Sequence, residues 1–401
     1  MMPVDFMEAP SEAVPSSFSI VSPDASNNIN DDGSLPFHEA TFLVSHNAHC
    51  SNAASSSFLD RLGVNQEHSI YHQLSVNNVR GLLLDVMLDR RDEEAELRLV
   101  HKNDFIALDY GGFTTELGRN LVPFLEEDPE AIVTFIMETK GDESDVALRP
   151  IILERLRETF DELTVNGIPL KEMTFKYDSD LWKDHDDWPT LDEIRSSGQR
   201  LFVTFDLPDF IDTEYGFTYN QHAMQENYWQ GVDVDVCTPR FMWRRPKVSF
   251  PTNRSWTRLF FMNHFCCDMG LQSRPRVVGQ DLLGGGDNGW GILYPRVEYC
   301  MSQNGGVKPN FIALDWVMES EEAMEVVEYL NFGGRVGTGQ RCEDDFHCAT
   351  SSCNLAMNVC QCLSCPAESE DICLGCEQGQ YCAAPAEDEG QNNQCFIGTR
   401  A

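Results

Sequence analysis

The chain has 401 residues, with 29 Lys and Arg against 65 Asp and Glu, giving a formal net charge of −36. A field of that sign repels nucleic acid and anionic surfaces, which argues against a nucleic-acid-binding role. Hydrophobic residues make up 42% and aromatics 10%, enough for a core, so global disorder is excluded; no apolar run reaches the length of a membrane span.

Residues 1–37 are rich in Ser, Pro, Asn and Asp and read as a disordered leader. They show no basic start and no apolar centre, so no secretion signal is legible there. From 38 to 332, short apolar runs alternate with amphipathic stretches. The runs at 41–45, 81–87, 97–100, 132–137, 201–205, 259–262 and 311–314 are strand candidates, each bounded by polar residues. Between them, 66–77 carries Ile70 and Leu74 at i, i+4. The stretch 114–127 carries Leu117, Leu121 and Leu125 at the same spacing and is stopped by Asp128-Pro129. Residues 146–163 and 320–330 read as helices in the same way. This alternation predicts an α/β protein with a mostly parallel sheet, closed as a (β/α)8 TIM-barrel-like domain.

A Gly-rich hinge follows at 333–340, then a cysteine-rich module at 341–401. Ten of the 15 cysteines fall between Cys342 and Cys395, beginning with the spacing Cys-x5-Cys-x4-Cys-x6-Cys-x-Cys-x2-Cys. Few large apolar residues occur there, so disulfides must replace a core. The pairs Cys362/Cys365 and Cys373/Cys376 would suit zinc, but six further cysteines need partners, which favours a disulfide framework. The module's start resembles EGF-like or similar secreted repeats and names no protein partner. It implies an oxidising, extracellular setting, with the secretion signal missing from this version of the chain. Of the other cysteines (Cys50, Cys237, Cys266, Cys267, Cys300), Cys237, Cys300 and one of Cys266 or Cys267 are candidates to pair. Asn253-Arg254-Ser255 is a glycosylation acceptor pattern.

A barrel gathers its chemistry at the C-terminal ends of its strands. Those ends carry His46 and Asn47, Asp85, His101 and Lys102, Glu138 and Lys140, Asp206, Asn263 and His264, and Asp315. Asp85 lies inside an apolar strand, where an unpartnered carboxylate costs several kcal/mol. Asp206 reads as a strand-end cap, and His264 as a rim or structural residue. Asp233 and Asp235 are expected in solvent. His49 matches no motif and is expected at the surface.

Three runs carry a family resemblance: Ser45-His46-Asn47-Ala48, Val79-Arg80-Gly81-Leu82-Leu83-Leu84-Asp85 and Leu99-Val100-His101. They resemble the X-domain of phosphatidylinositol-specific phospholipase C, in its single-barrel, PLC-like phosphodiesterase branch. Asp128-Pro129-Glu130-Ala131-Ile132-Val133-Thr134, Trp188-Pro189-Thr190-Leu191, Gln199-Arg200-Leu201 and Pro309-Asn310-Phe311-Ile312-Ala313-Leu314-Asp315 follow in family order. The resemblance implies a phosphoric diester hydrolase acting on phosphatidylinositol or a related inositol phospholipid at a membrane surface, through a cyclic phosphate.

By the same resemblance His46 is the general base, His101 the general acid, and Asp315 the carboxylate that orients His46. Imidazole suits both roles because its pKa lies near neutrality. Lys102, Lys140 and Arg80 are candidate substrate contacts, although Arg80 precedes its strand and reads as structural. The calcium-dependent branch's ligand positions match Asn47, Leu83, Asp85 and Glu138, of which Leu83 cannot coordinate. The metal-free branch has an arginine where Asp85 stands. Ca²⁺ held by Asn47, Asp85, Glu138 and waters is one source of positive charge; Lys102 or Lys140 is the other. Two other functions stay open. One is a phosphodiesterase for another phospholipid headgroup, whose Glu-x-Asp pair is Leu83-x-Asp85 here. The other is a catalytically weak or inactive secreted binding protein on the same barrel.

Overall fold

The computed structural model describes residues 33–53, 64–89, 95–102, 107–140, 146–228, 237–239, 247–249, 255–265, 288–317 and 322–331, with four short strand segments between 353 and 397. Eight parallel strands form the frame: β1 (Phe42–Ser45), β2 (Gly81–Leu88), β5 (Val133–Thr139), β8 (Leu201–Phe205), β9 (Phe217–Tyr219), β10 (Met224–Glu226), β13 (Leu259–His264) and β14 (Phe311–Leu314). Their order is β10-β13-β14-β1-β2-β5-β8-β9. That is chain order around a circle, with a seam between β9 and β10 where the sheet is not hydrogen-bonded. The predicted barrel is therefore present as a curled sheet with one open seam.

β3 (Leu97–Lys102) and β4 (Ala107–Gly112) form an antiparallel hairpin off β2. The run at 97–100 is thus a strand, though not a barrel stave. The staves β9 and β10 have three residues each, too few to leave a pattern in the sequence. Small two-stranded ribbons lie beside the frame: β6 (Thr164–Val165) with β7 (Ile168–Pro169), and β11 (Lys247–Ser249) with β12 (Ser255–Thr257). The hinge and the cysteine-rich module lie outside the described residues, save two short antiparallel ribbons that set Cys353 opposite Cys360 and Cys382 opposite Cys395.

The staves read as continuous apolar runs because both faces are covered. In β2, Leu82, Leu84 and Val86 join the layer between sheet and helices, whereas Leu83 belongs to the inner cluster. The outer layer is closed by α1 (Ile70–Ser75), α2 (Phe113–Glu127), α3 (Arg149–Glu162), α7 (Trp290–Gln303) and α8 (Glu322–Asn331). Leu117, Leu121 and Leu125 lie on the buried face of α2, as their spacing predicts. The helix expected at 66–77 starts only at Ile70, capped by Ser69, which leaves Asn65 and Gln66 in a loop.

The inner cluster is aromatic at the N-terminal ends of the strands. Phe37, Trp188, Phe202 and Phe311 meet there with ring centroids 5.4 to 6.1 Å apart. The short helices α4 (Leu170–Met173) and α6 (Asn220–Ala223) bridge connections, and α5 (Leu191–Ser197) sends Leu191 and Ile194 into the inner cluster. Cys237 and Cys300 form a disulfide, which ties the chain after β10 to α7. Cys50 is a buried free thiol. Cys266, Cys267, Asn253, Asp233 and Asp235 lie outside the described residues. Among the described residues, no helix is long and apolar enough to cross a membrane.

Candidate active site

Side chains alternate across a strand, so a residue two positions beyond an inward one also points inward. The inner cluster contains Val44, Leu83, Ile136, Met224, Phe261 and Ala313. Two residues further along each strand stand His46, Asp85, Glu138, Glu226, Asn263 and Asp315. One pleat rule thus gathers six polar groups at the C-terminal mouth. It also turns His264 outward: His264 is fully buried and its Nδ1 accepts from Arg296 Nη1 at 2.9 Å, which makes it structural.

His46 follows β1, and its backbone N–H donates to the Leu314 carbonyl of β14 at 2.9 Å. Its Nδ1–H donates to Asp315 Oδ1 at 2.7 Å. The same oxygen accepts from Asn65 Nδ2 at 2.9 Å, and Asn65 Oδ1 accepts from Asn47 Nδ2 at 3.3 Å. The Gln66 amide donates to the carbonyls of His46 and Leu314 at 2.8 and 3.0 Å. The His46 ring lies flat on Phe265, with centroids 3.6 Å apart and planes 4° from parallel. Asp315 fixes the ring from one edge and Phe265 from one face, leaving Nε2 as the group available to take a proton. Asn65, Gln66 and Phe265 were not singled out from the sequence. Gln66 opens the stretch whose spacing predicts a helix, Asn65 just precedes it without a pattern of its own, and Phe265 needs the pleat of β13.

A second cluster faces this one. Asp85 and Glu138 stand at the same level of neighbouring strands, paired in register. Lys140 Nζ lies 2.5 Å from Glu138 Oε2 and 3.4 Å from Asp85 Oδ1. Burial pushes the Asp85 carboxyl up to about 7; Lys140 and His46 oppose the rise and Glu138 adds to it. Burial works against the charge on Lys140, but the carboxylates of Glu138 and Asp85 outweigh it and hold the ammonium well above its usual value. Asp206 is raised to about 6 by burial and by Glu138, against hydrogen bonds from the Thr139 N–H and hydroxyl; it follows β8 but caps the end of the neighbouring β5. Asn47 is buried, and its Oδ1 has no hydrogen-bond partner among the described residues.

His101 is carried by the β3–β4 hairpin, in register with Leu108. Lys102 ends β3, and its side chain lies outside the described residues. Two expectations need correction. His49 is not at the surface: it is 3% exposed and its Nε2–H donates to the Val100 carbonyl at 2.9 Å. Burial drives its pKa down to about 3, against that backbone bond, with the charges of His101, His46 and Lys140 adding to the fall. It therefore sits as a neutral ring close enough to feel the charge of both candidate histidines. Arg80 is not placed for substrate contact. It precedes β2 at the opposite end of the barrel, donates to the carbonyls of Leu74 and Val79 at 3.0 Å, and pairs with Asp128 at 3.2 Å.

Beside the charged cluster lies a shallow open depression lined by Leu83, Ile136, Met224 and Phe261 and by the polar Glu138, Glu226, Asn220 and Gln221. A parallel α/β barrel whose ionisable groups converge at one mouth has the layout of an enzyme. The PI-PLC X family profile matches residues 36–331, and the chain belongs to that phospholipase C-like family. Solved structures similar to it include the phosphatidylinositol-specific phospholipase C of Listeria monocytogenes, at 11% identity and TM-score 0.44 over 74% of this chain and 95% of that one. Another is a pentafluoro-phenylalanine form of the Staphylococcus aureus enzyme of that name, at 10% identity and TM-score 0.42 over 77% and 95%. No curated protein matches the chain.

Proposed function

We propose that this chain is a phosphoric diester hydrolase acting on phosphatidylinositol or a related inositol phospholipid. The observation that carries the reading is the His46–Asp315 hydrogen bond of 2.7 Å at the barrel mouth. An imidazole whose Nδ1–H is held by a carboxylate presents a basic Nε2, and that carboxylate stabilises the imidazolium once formed. His46 Nε2 takes the proton of the inositol hydroxyl next to the phosphate, and the freed oxygen attacks phosphorus. The bond to the diacylglycerol oxygen breaks as His101 gives that oxygen a proton. The products are diacylglycerol and a cyclic inositol phosphate, which water opens with the two histidines in exchanged roles. Glu138, Glu226, Asn220 and Gln221 suit the hydroxyls of a polyol, and their carboxylates repel headgroups bearing extra phosphates.

The family resemblance implies Ca²⁺ at Asn47, Asp85 and Glu138. The donor set does not fit a divalent ion as it stands, because Lys140 already bridges the two carboxylates. Ca²⁺ takes about six to eight oxygens, and among the described residues no group of three or more His, Cys, Asp or Glu side chains is placed to hold a metal. The cysteine content of 341–401 supports an extracellular setting.

The test is release of water-soluble inositol phosphate from phosphatidylinositol vesicles, beside glycerophosphocholine as the competing substrate. Turnover of the inositol lipid, lost in both His46→Ala and His101→Ala, is expected. Preference for glycerophosphocholine would redirect the assignment to another headgroup, and turnover surviving in His46→Ala would overturn the mechanism.

A further inference from the structure

We propose that the Lys140 ammonium is the phosphate-binding cation of this site, held by Asp85 and Glu138 where a divalent ion would otherwise sit, so that the phosphodiester is bound without metal. The inference rests on the phosphodiesterase reading given above and specifies its electrostatics.

The position of Lys140 is fixed at both ends. Its backbone N–H donates to the Val86 carbonyl at 2.7 Å, which ties the end of β5 to β2 just beyond Asp85. Its Nζ is tied to Glu138 and Asp85. An ammonium has three N–H donors and no acceptor. One of them bonds Glu138 Oε2 and Asp85 Oδ1 lies 3.4 Å away as an ion-pair partner, so the ammonium keeps donor capacity for a phosphate oxygen. The side chain is 27% exposed, so it is not sealed within the core. A lysine is charged at neutral pH, and an ammonium clamped before substrate arrives needs little reorganisation as charge builds on the phosphate oxygens.

Two other buried cations are placed elsewhere, and the Lys102 side chain lies outside the described residues. Arg80 is at the far end of the barrel, and Arg296 lies behind β13 against His264. A purely structural lysine would also neutralise Asp85, so the tests must read something a structural role leaves unmoved. Three measurements do so.

In the first, the unaltered chain is assayed on phosphatidylinositol vesicles with excess chelator. Undiminished turnover is expected, and turnover abolished by chelator would overturn the proposal. The second is terbium luminescence titration, with Tb³⁺ as a Ca²⁺ probe. The unaltered chain should bind it weakly, and Lys140→Met, which frees two carboxylates beside Asn47, should bind it at least tenfold more tightly. Tight binding by the unaltered chain, or no gain in the variant, would count against the lysine holding the cation position.

In the third, binding of myo-inositol 1-phosphate is measured by calorimetry in chelator. Lys140→Met should lose affinity and about 10²–10³-fold in kcat, whereas Lys140→Arg, which keeps the charge, should retain most of both. Equal affinity in all three proteins would overturn the proposal. If the chain turns over no inositol lipid at all, the functional reading fails on its own, and the calorimetric comparison still decides whether Lys140 binds phosphate. The first measurement, and terbium titration of the unaltered chain, need no folded variant.

Discussion

The two ends of the barrel are built from the same strands and carry opposite chemistry. At the N-terminal end Phe37, Trp188, Phe202 and Phe311 pack ring against ring, joined by Phe175, Trp182 and Trp256. At the C-terminal end, the same inward face carries His46, Asp85, Glu138 and Asp315. One end gains free energy by excluding water; the other keeps ionisable groups dry enough to perturb them and open enough to be reached. The lesson is a division of labour along a single strand, with stability at its start and reactivity at its finish.

That division can be tested from both ends. The largest effect is expected at the mouth, in Asp315→Asn. The amide can no longer fix the His46 tautomer, so turnover should fall by roughly 10²–10⁴-fold, with substrate affinity and the far-ultraviolet circular dichroism spectrum unchanged. Trp188→Ala at the closed end should do the reverse. Trp188 is 4% exposed, its Nε1–H donates to the Thr257 carbonyl at 2.6 Å, and truncation should cost about 3–5 kcal/mol in urea unfolding while the folded fraction keeps its kcat. Either variant behaving like the other would break the comparison.

A smaller effect sharpens it. His49 is a mouth residue that works as a core residue, neutral and with a pKa lowered to about 3. The unfolded chain takes up a proton on this ring at about pH 6.5, whereas the folded chain resists until far lower. The stability contributed by neutral His49 is thus complete above pH 6.5 and lost on acidification, at up to about 1.4 kcal/mol per pH unit. His49→Gln, which keeps a donor for the Val100 carbonyl, should remove that component. Urea midpoints of the two proteins at pH 7, 6 and 5 should converge on the acid side, and parallel curves would show that the ring is not buried neutral.

Much of this was legible in the sequence, for a physical reason in each case. Strands covered on both faces leave unbroken apolar runs, so β1, β2, β5, β8, β13 and β14 stood out. The residues at their ends then nominated His46, Asp85, Glu138 and Asp315. Three-residue strands such as β9 and β10 leave no such run. Local pattern also cannot say which loop another element will cover: the β3–β4 hairpin lies over His49, so a residue expected in solvent is buried. Nor does spacing along the chain reveal cross-strand register. That Lys140 reaches both Glu138 and Asp85 depends on β2 and β5 pairing level, and that Phe265 rather than His264 meets His46 depends on one step of the pleat.

Asn47 and Trp316 immediately follow His46 and Asp315, and both adopt left-handed backbone conformations, with φ of 46° and 53°. Asparagine tolerates that region; a buried indole does so at a cost of about 1–3 kcal/mol. The Trp316 N–H donates to the Asn65 carbonyl at 2.8 Å, within the loop whose side chain holds Asp315. The turns that aim the two partners at each other thus both carry left-handed backbone. A thermostabilised variant selected without regard to turnover would be expected to change first at these two positions, and to lose rate as it gained heat resistance, a trade-off confined to two peptide units.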